Sequence, residues 1–144
     1  MKILLDTSIL VAAIVEAHPA HERALPWLQR IKTGSDEGFV AAHSIAELYA
    51  VLSVLPVQPR ISPAIVNKLI QQDVFDICEI VTLSDQDYKR VIKHLSGSNI
   101  VGGVTYDAVI LYTAFKVEID RIVTLNKRDF VRIYPDIADK IILP

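Results

Sequence analysis

Three carboxylates stand where a solvated surface acid is not expected. Asp6 ends the apolar run Ile3-Leu4-Leu5. Read as a short buried strand, that run puts Asp6 at a carboxyl end, where open α/β sheets bind ligands. Glu47 shares a helical stripe with Ala50, Val51 and Val54. Asp107 shares one with Ile110, Leu111 and Ala114, and Ala108 and Val109 follow it. An unpaired buried carboxylate is costly, so each such group needs a cation or a proton. No Lys or Arg is obviously placed to neutralise them. Gathered together, three like charges require a divalent ion, and oxygen-only ligation suits Mg²⁺ or Mn²⁺ rather than zinc. Each acid also has a plain architectural reading. Asp6 can cap the helix that starts at Ser8 or Ile9. Glu47 can be the acid of a capping box opened by Ser44. Asp107 can cap its own helix or fall in its first turn. What separates the readings is whether the three meet at one sheet edge.

The elements needed to bring them there alternate along the chain. After the first strand, Ile9 to Ala17 reads as a short helix, broken at His18-Pro19. A second helix is predicted from about Ala20 to Lys32, shortened or kinked at Pro26. Phe39 to Ala42 is a second strand, and a helix capped by Ser44 follows to about Leu55. Beyond the Pro-rich connection 56–63, Ser62-Pro63 starts a helix to about Gln72, with Ser as cap and Pro in the first turn. Ile77 to Leu83 is a third strand. Ser84-Asp85-Gln86-Asp87 opens a helix ending near Gly97. Thr105 to Glu118 is a strongly apolar helix, Ile122 to Leu125 a fourth strand, and Ile141 to Leu143 a last one. Short strands, apolar on both faces and alternating with helices, predict a parallel sheet covered on both sides.

Composition bounds the rest. The chain has 144 residues, 51% hydrophobic and 22% charged, with mean hydropathy +0.35. That length predicts one domain across 1–144 and a sizeable core. The hydrophobicity excludes a disordered chain. One cysteine, Cys78, excludes a disulfide framework and a Cys-rich zinc site. In an apolar strand it reads as inert packing. No apolar run approaches the roughly 20 residues a bilayer requires, and no signal peptide is evident. The expected address is the cytoplasm. Fifteen basic against seventeen acidic residues leave a net charge of −2, so a nucleic-acid partner needs local positive charge or a metal-mediated contact. The four histidines assemble no ligand set, and surface or capping roles are expected for them. Trp27 and its helix read as core or as a contact surface between copies.

The last informative stretch is Thr124-Leu125-Asn126-Lys127-Arg128-Asp129-Phe130. The strand ends at Thr124, and a polar loop follows from which Asn126 and Asp129 can reach the same edge. Asp129 can equally cap a short helix around Val131. Lys127, Arg128 and Arg132 can grip phosphates or stand as solvated charges. Lys89, Arg90 and Lys93 form a second basic helix face.

With these motifs in order, the chain resembles the PIN-domain ribonucleases, and more closely the VapC-type toxins of bacterial and archaeal toxin–antitoxin pairs. The matching residues are Leu5-Asp6-Thr7-Ser8, Ser44-Ile45-Ala46-Glu47, Tyr106-Asp107-Ala108 and the stretch from Thr124 to Phe130. Each motif alone is weak; their order and spacing together are specific, and they span essentially the whole chain. The resemblance implies a three-layer α/β/α sandwich around a parallel sheet of about five strands. It implies a Mg²⁺- or Mn²⁺-dependent endoribonuclease whose acidic constellation falls on Asp6, Glu47 and Asp107, with Ser8 and Thr124 supporting. Many members carry a fourth acid where this chain has Asn126, with Asp129 three residues on. A homodimer and a small antitoxin partner are implied as well. The antitoxin is expected near the acidic pocket, and the segments Leu10 to Val15 and Trp27 to Ile31 are either its contact surfaces or ordinary core helices.

Two rival readings stand beside this one. A phosphatase or phosphotransferase could use Asp6 as nucleophile, but haloacid-dehalogenase-like enzymes want a second acid two residues on, and that position is Ser8. A non-catalytic module of the same fold is the other, kept open by Asn126.

Overall fold

The computed structural model describes Met1–Pro144. Five parallel strands form one sheet: β1 (Lys2–Leu5), β2 (Glu37–Ala41), β3 (Cys78–Val81), β4 (Arg121–Val123) and β5 (Ile141–Ile142), in the order β3-β2-β1-β4-β5. Seven α-helices connect them: α1 (Thr7–Ile14), α2 (His21–Lys32), α3 (Ala42–Leu52), α4 (Pro63–Ile70), α5 (Asp85–Gly97), α6 (Val104–Lys116) and α7 (Lys127–Ile133). A π-helical turn (Gln71–Phe75) extends α4, and a 3₁₀ segment (Pro135–Lys140) leads into β5.

Strand periodicity splits the core in two. Ile3, Leu5, Val40 and Val123 face one layer with α1 to α4, while Leu4, Phe39, Ala41 and Ile122 face the other with α5 to α7. The predicted α/β/α sandwich with about five parallel strands is therefore what the chain forms. The chain runs outward from β1 to β3, then returns to the other side of β1 for β4. Strand order reverses between β1 and β4, and their carboxyl ends form the crevice where such sheets place ligands.

Several expectations shift in detail. α2 continues past Pro26 to Lys32 and is not shortened there. A mid-helix proline costs about 3 kcal/mol, but Leu28 and Ile31 are both buried by this helix, at about 1.5–3 kcal/mol each. Ile31 also relies on Gly38 of β2, where a Cβ would approach its side chain to 2.7 Å. α1 starts at Thr7, directly after Asp6, and ends sooner than expected. α3 begins at Ala42 with no intervening loop, so Ser44 is not its cap. Ser44 lies inside the helix, fully buried with Oγ unpartnered. The buried stripe of α3 is Ser44, Leu48 and Leu52. Ala50, Val51 and Val54, expected to bury beside Glu47, are exposed. Leu10 to Val15 is core, with Leu10, Val11, Ala12, Ala13 and Val15 buried, whereas Trp27 to Ile31 buries only Leu28 and Ile31. The core alternative holds for the first segment, and the second leaves Gln29 and Arg30 exposed.

Other expectations hold. Ser62 caps α4 through the Ile65 amide at 3.3 Å. Ser84 and Asp87 form a reciprocal capping box on α5. Burial pushes the Cys78 thiol up to about 12, which leaves it unreactive. His18 and His21 hydrogen-bond backbone groups of Ala20 and Ala12. No helix is long and apolar enough to cross a membrane.

Candidate active site

Asp6 occupies the crevice between β1 and β4. Its amide donates to the Val123 carbonyl at 3.0 Å, which extends the β1–β4 ladder by one bond. Its side chain is buried, 2% exposed. It stands at the cap position of α1, yet no α1 amide bonds it with capping geometry. Two hydroxyls hold it instead. Ser8 Oγ donates to Oδ2 at 2.6 Å and Thr124 Oγ1 donates to the same oxygen at 2.8 Å. The Leu125 amide then donates to Ser8 Oγ, and the Asn126 amide to Thr124 Oγ1. The end of β4 thus locks the end of β1 through side chains. Burial drives the Asp6 carboxyl upward, opposed by its Ser8 and Thr124 hydrogen bonds.

Glu47 lies two turns into α3 and faces the crevice. Thr7 Oγ1 donates to its Oε1 at 3.1 Å, and His43 Nε2 lies 3.4 Å from the same oxygen without aligning for a hydrogen bond. Asp107 sits in the first turn of α6, with Ile110, Leu111 and Ala114 buried below it. It accepts no hydrogen bond and has no basic partner within ion-pair distance. Burial first, then the neighbouring charges of Asp6, Glu47 and Asp129, push its carboxyl up to about 7. The Thr7–Glu47 hydrogen bond joins the start of α1 to α3, and Asp6, Glu47 and Asp129 all lie close enough to Asp107 to act on its charge.

The comparison with other buried acids is decisive. Asp36 is matched by the Met1 amine and Arg30, and Asp87 by Lys116. Asp87 is accordingly held down at about 2, chiefly by its Lys116 hydrogen bond. Asp6 is equally buried and has no cation. A dry carboxylate with like-charged neighbours and no base needs a proton or a metal ion. The donor set is all oxygen, which fits Mg²⁺ or Mn²⁺. Ser44 Oγ, buried and unpartnered one turn before Glu47, adds a further polar group at this edge. No three acidic or histidine side chains are closed up around a common ion position in this conformation.

The remaining residues divide by exposure. Asp129 is half-buried and within electrostatic reach of Asp107. Asn126 is exposed and contributes its backbone amide, and its side chain makes no hydrogen bond. Lys127, Arg128 and Arg132 are exposed on α7 and form no ion pair. Two residues beside the cluster, His43 and the motif residue Tyr106, were given no role in the site by the sequence. His43 and Tyr106 stack in parallel, ring centroids 5.1 Å apart and planes 3° apart. The only signal was their spacing from the motif acids, four before Glu47 and one before Asp107.

Comparison with known proteins gives the same assignment. The family model of the PIN domain matches residues 3–134. Ribonuclease VapC40 of Mycobacterium tuberculosis is 33% identical over 109 residues, covering 76% of this chain and 75% of that protein. FitAcB from Neisseria gonorrhoeae superposes with a TM-score of 0.69 at 17% identity, covering 99% of this chain and 97% of that one. VapBC2 from Rickettsia felis, solved bound to a DNA fragment from their promoter, gives a TM-score of 0.64 at 20% identity, covering 93% and 94%. A phosphatase fold is set aside by these matches, and Ser8, where that chemistry wants an acid, is a hydroxyl donor to Asp6. The chain belongs to the PIN-domain family and, within it, to the VapC-type proteins.

Proposed function

We propose that this protein is an endoribonuclease that hydrolyses RNA phosphodiester bonds with Mg²⁺ or Mn²⁺, and that it is the toxin of a type II toxin–antitoxin pair. The observation that carries the reading is the cluster of Asp6, Glu47, Asp107 and Asp129 at the β1–β4 crevice with no Lys or Arg among them. Asp6, Glu47 and Asp107 are the residues that would hold the ion. When bound there, a divalent ion supplies an activated water and neutralises the approaching phosphate.

The protein's own groups do the rest. Ser8 and Thr124 fix the plane of the Asp6 carboxylate, and Thr7 orients Glu47. Asp107 accepts no hydrogen bond from the protein, so its carboxylate is free to orient the attacking water or take its proton. Lys127, Arg128 and Arg132 are free to contact flanking phosphates, which answers how a chain of net charge −2 could hold RNA. A small antitoxin masks this pocket, with an Arg competing for the carboxylates. A homodimer covers the exposed apolar residues Tyr49, Val51 and Val54 at the end of α3.

The test is cleavage of a mixed single-stranded RNA by purified protein with Mg²⁺, Mn²⁺ or chelator. Metal-dependent cleavage that disappears in Asp6→Asn supports the reading. Equal cleavage by that variant, or none by the wild type with either metal, removes it.

A further inference from the structure

The parallel pair His43–Tyr106 belongs to neither hydrophobic core. Tyr106 is 55% exposed, and its stack on His43 holds the ring in a fixed plane beside the acidic cluster. His43 comes from the first turn of α3 and Tyr106 from the first turn of α6, so each ring is tied to an element that also delivers an acid, Glu47 or Asp107. Beside the pair lies a cavity of about 320 Å³, lined by His43, Ala46, Glu47, Ala50 and Tyr106. Ala46 and Ala50, one turn apart on α3, give it a floor of methyl groups. The result is a slot with one flat π wall, an apolar floor and a carboxylate at the rim that faces the acidic cluster.

A planar heteroaromatic ring fits the flat wall and apolar floor, and the phosphate of its strand would lie toward the acidic cluster, where a bound cation would offset the charge. We infer that the Tyr106–His43 wall is a stacking platform for one unpaired RNA base next to the scissile phosphate. This rests on the ribonuclease reading above and adds to it a residue that positions the strand. A paired base keeps both faces against its neighbours and cannot enter, so the wall can serve only an unpaired nucleotide. Stacking is tolerant of base identity, so Tyr106 positions the strand and does not name the base. Tyr106 is a substrate-positioning residue; the acids perform the hydrolysis.

The experiment uses a short unpaired oligoribonucleotide carrying 2-aminopurine, whose fluorescence is quenched by stacking. It is titrated with Mg²⁺ into the Asp107→Asn protein so that the strand stays intact. Quenching is expected with Tyr106 and with Tyr106→Phe. Tyr106→Leu, equally apolar but without a ring, should bind about 10- to 100-fold more weakly, about 1.4–2.8 kcal/mol. In the otherwise wild-type background Tyr106→Leu should raise KM for a single-stranded substrate far more than it lowers kcat. Tyr106 is exposed, so the variants are expected to fold, which circular dichroism verifies. Wild-type cleavage of RNA together with unchanged quenching and KM in Tyr106→Leu overturns the platform and leaves the ribonuclease reading intact. Absence of any cleavage by the wild type removes both. Unchanged RNA binding with weakened binding of a co-expressed antitoxin also overturns the platform, because the slot then belongs to a protein segment.

Discussion

Thr124 and Asp6, 118 positions apart in the sequence, share a 2.8 Å hydrogen bond between Oγ1 and Oδ2. The bond joins the carboxyl ends of β4 and β1, the two strands between which the sheet reverses its order. Thr124 is fully buried and also accepts the Asn126 amide, so one hydroxyl ties the acid to the loop that carries Asp129.

Thr124→Val keeps the shape and removes both bonds. An unsatisfied buried group costs about 1–3 kcal/mol, so the urea midpoint should fall by a corresponding amount with its slope unchanged. RNA cleavage should fall with it, and Thr124→Ser should restore both. A valine variant with wild-type midpoint and wild-type cleavage would show that the hydroxyl is dispensable.

Asp107→Asn removes a charge that its neighbours resist. Cleavage should drop by about 10²–10⁴-fold, the range for losing a positioned proton acceptor. Stability without metal should be at or above wild type at pH 8, because the substitution relieves repulsion from Asp6, Glu47 and Asp129. Side-by-side denaturation and cleavage assays check both halves. A variant that cleaves at the wild-type rate ends the assignment of Asp107.

Much of this was legible in the residues. Each strand is a short apolar run bounded by a helix start, so element order and sandwich architecture could be read. Asp6 could be placed from the end of an apolar strand and Asp107 from apolar residues at helical spacing, while the capping alternative for each could be weighed only against the folded chain. α3 was less legible. Ser44 and Glu47 have capping-box spacing, yet the helix starts at Ala42 and buries Ser44 with Leu48 and Leu52. Tertiary packing overrode the local signal, and the apolar residues around Glu47 then fell on the outer face. The His43–Tyr106 stack was out of reach for another reason. It joins the first turns of two helices on different layers, a contact that no local pattern encodes.

The pH dependence of metal-free stability follows from the same cluster. The unfolded chain releases the Asp107 proton near 3.8, while the folded state keeps it until about 7. Between those values the folded state binds more protons, so stability falls as pH rises. The contribution is complete below about pH 3.8 and lost as pH passes 7. Asp87 acts in the opposite sense: its contribution is present above 3.8 and lost as pH falls through about 2. The stability difference between wild type and Asp107→Asn should therefore open in favour of the variant as pH climbs from 4 to above 7. A difference that does not change over that window contradicts the raised carboxyl.

Divalent metal should reverse that slope. A cation bound by Asp6, Glu47 and Asp107 selects their ionised forms, so metal and protons compete for the same oxygens. Adding Mg²⁺ or Mn²⁺ at about 100 times its dissociation constant should stabilise the folded state by about 2.7 kcal/mol. The gain should shrink toward acid pH, where Asp107 keeps its proton. Chelator should abolish both the stabilisation and cleavage, and excess Mn²⁺ should restore them. In Asp6→Asn the shift should be small at every pH, because the most buried oxygen donor has lost its charge. Thermal melts with and without metal across pH 5 to 8 make the measurement. A shift of equal size in wild type and Asp6→Asn places the ion elsewhere on the surface, and cleavage that survives exhaustive chelation means the acids act without one.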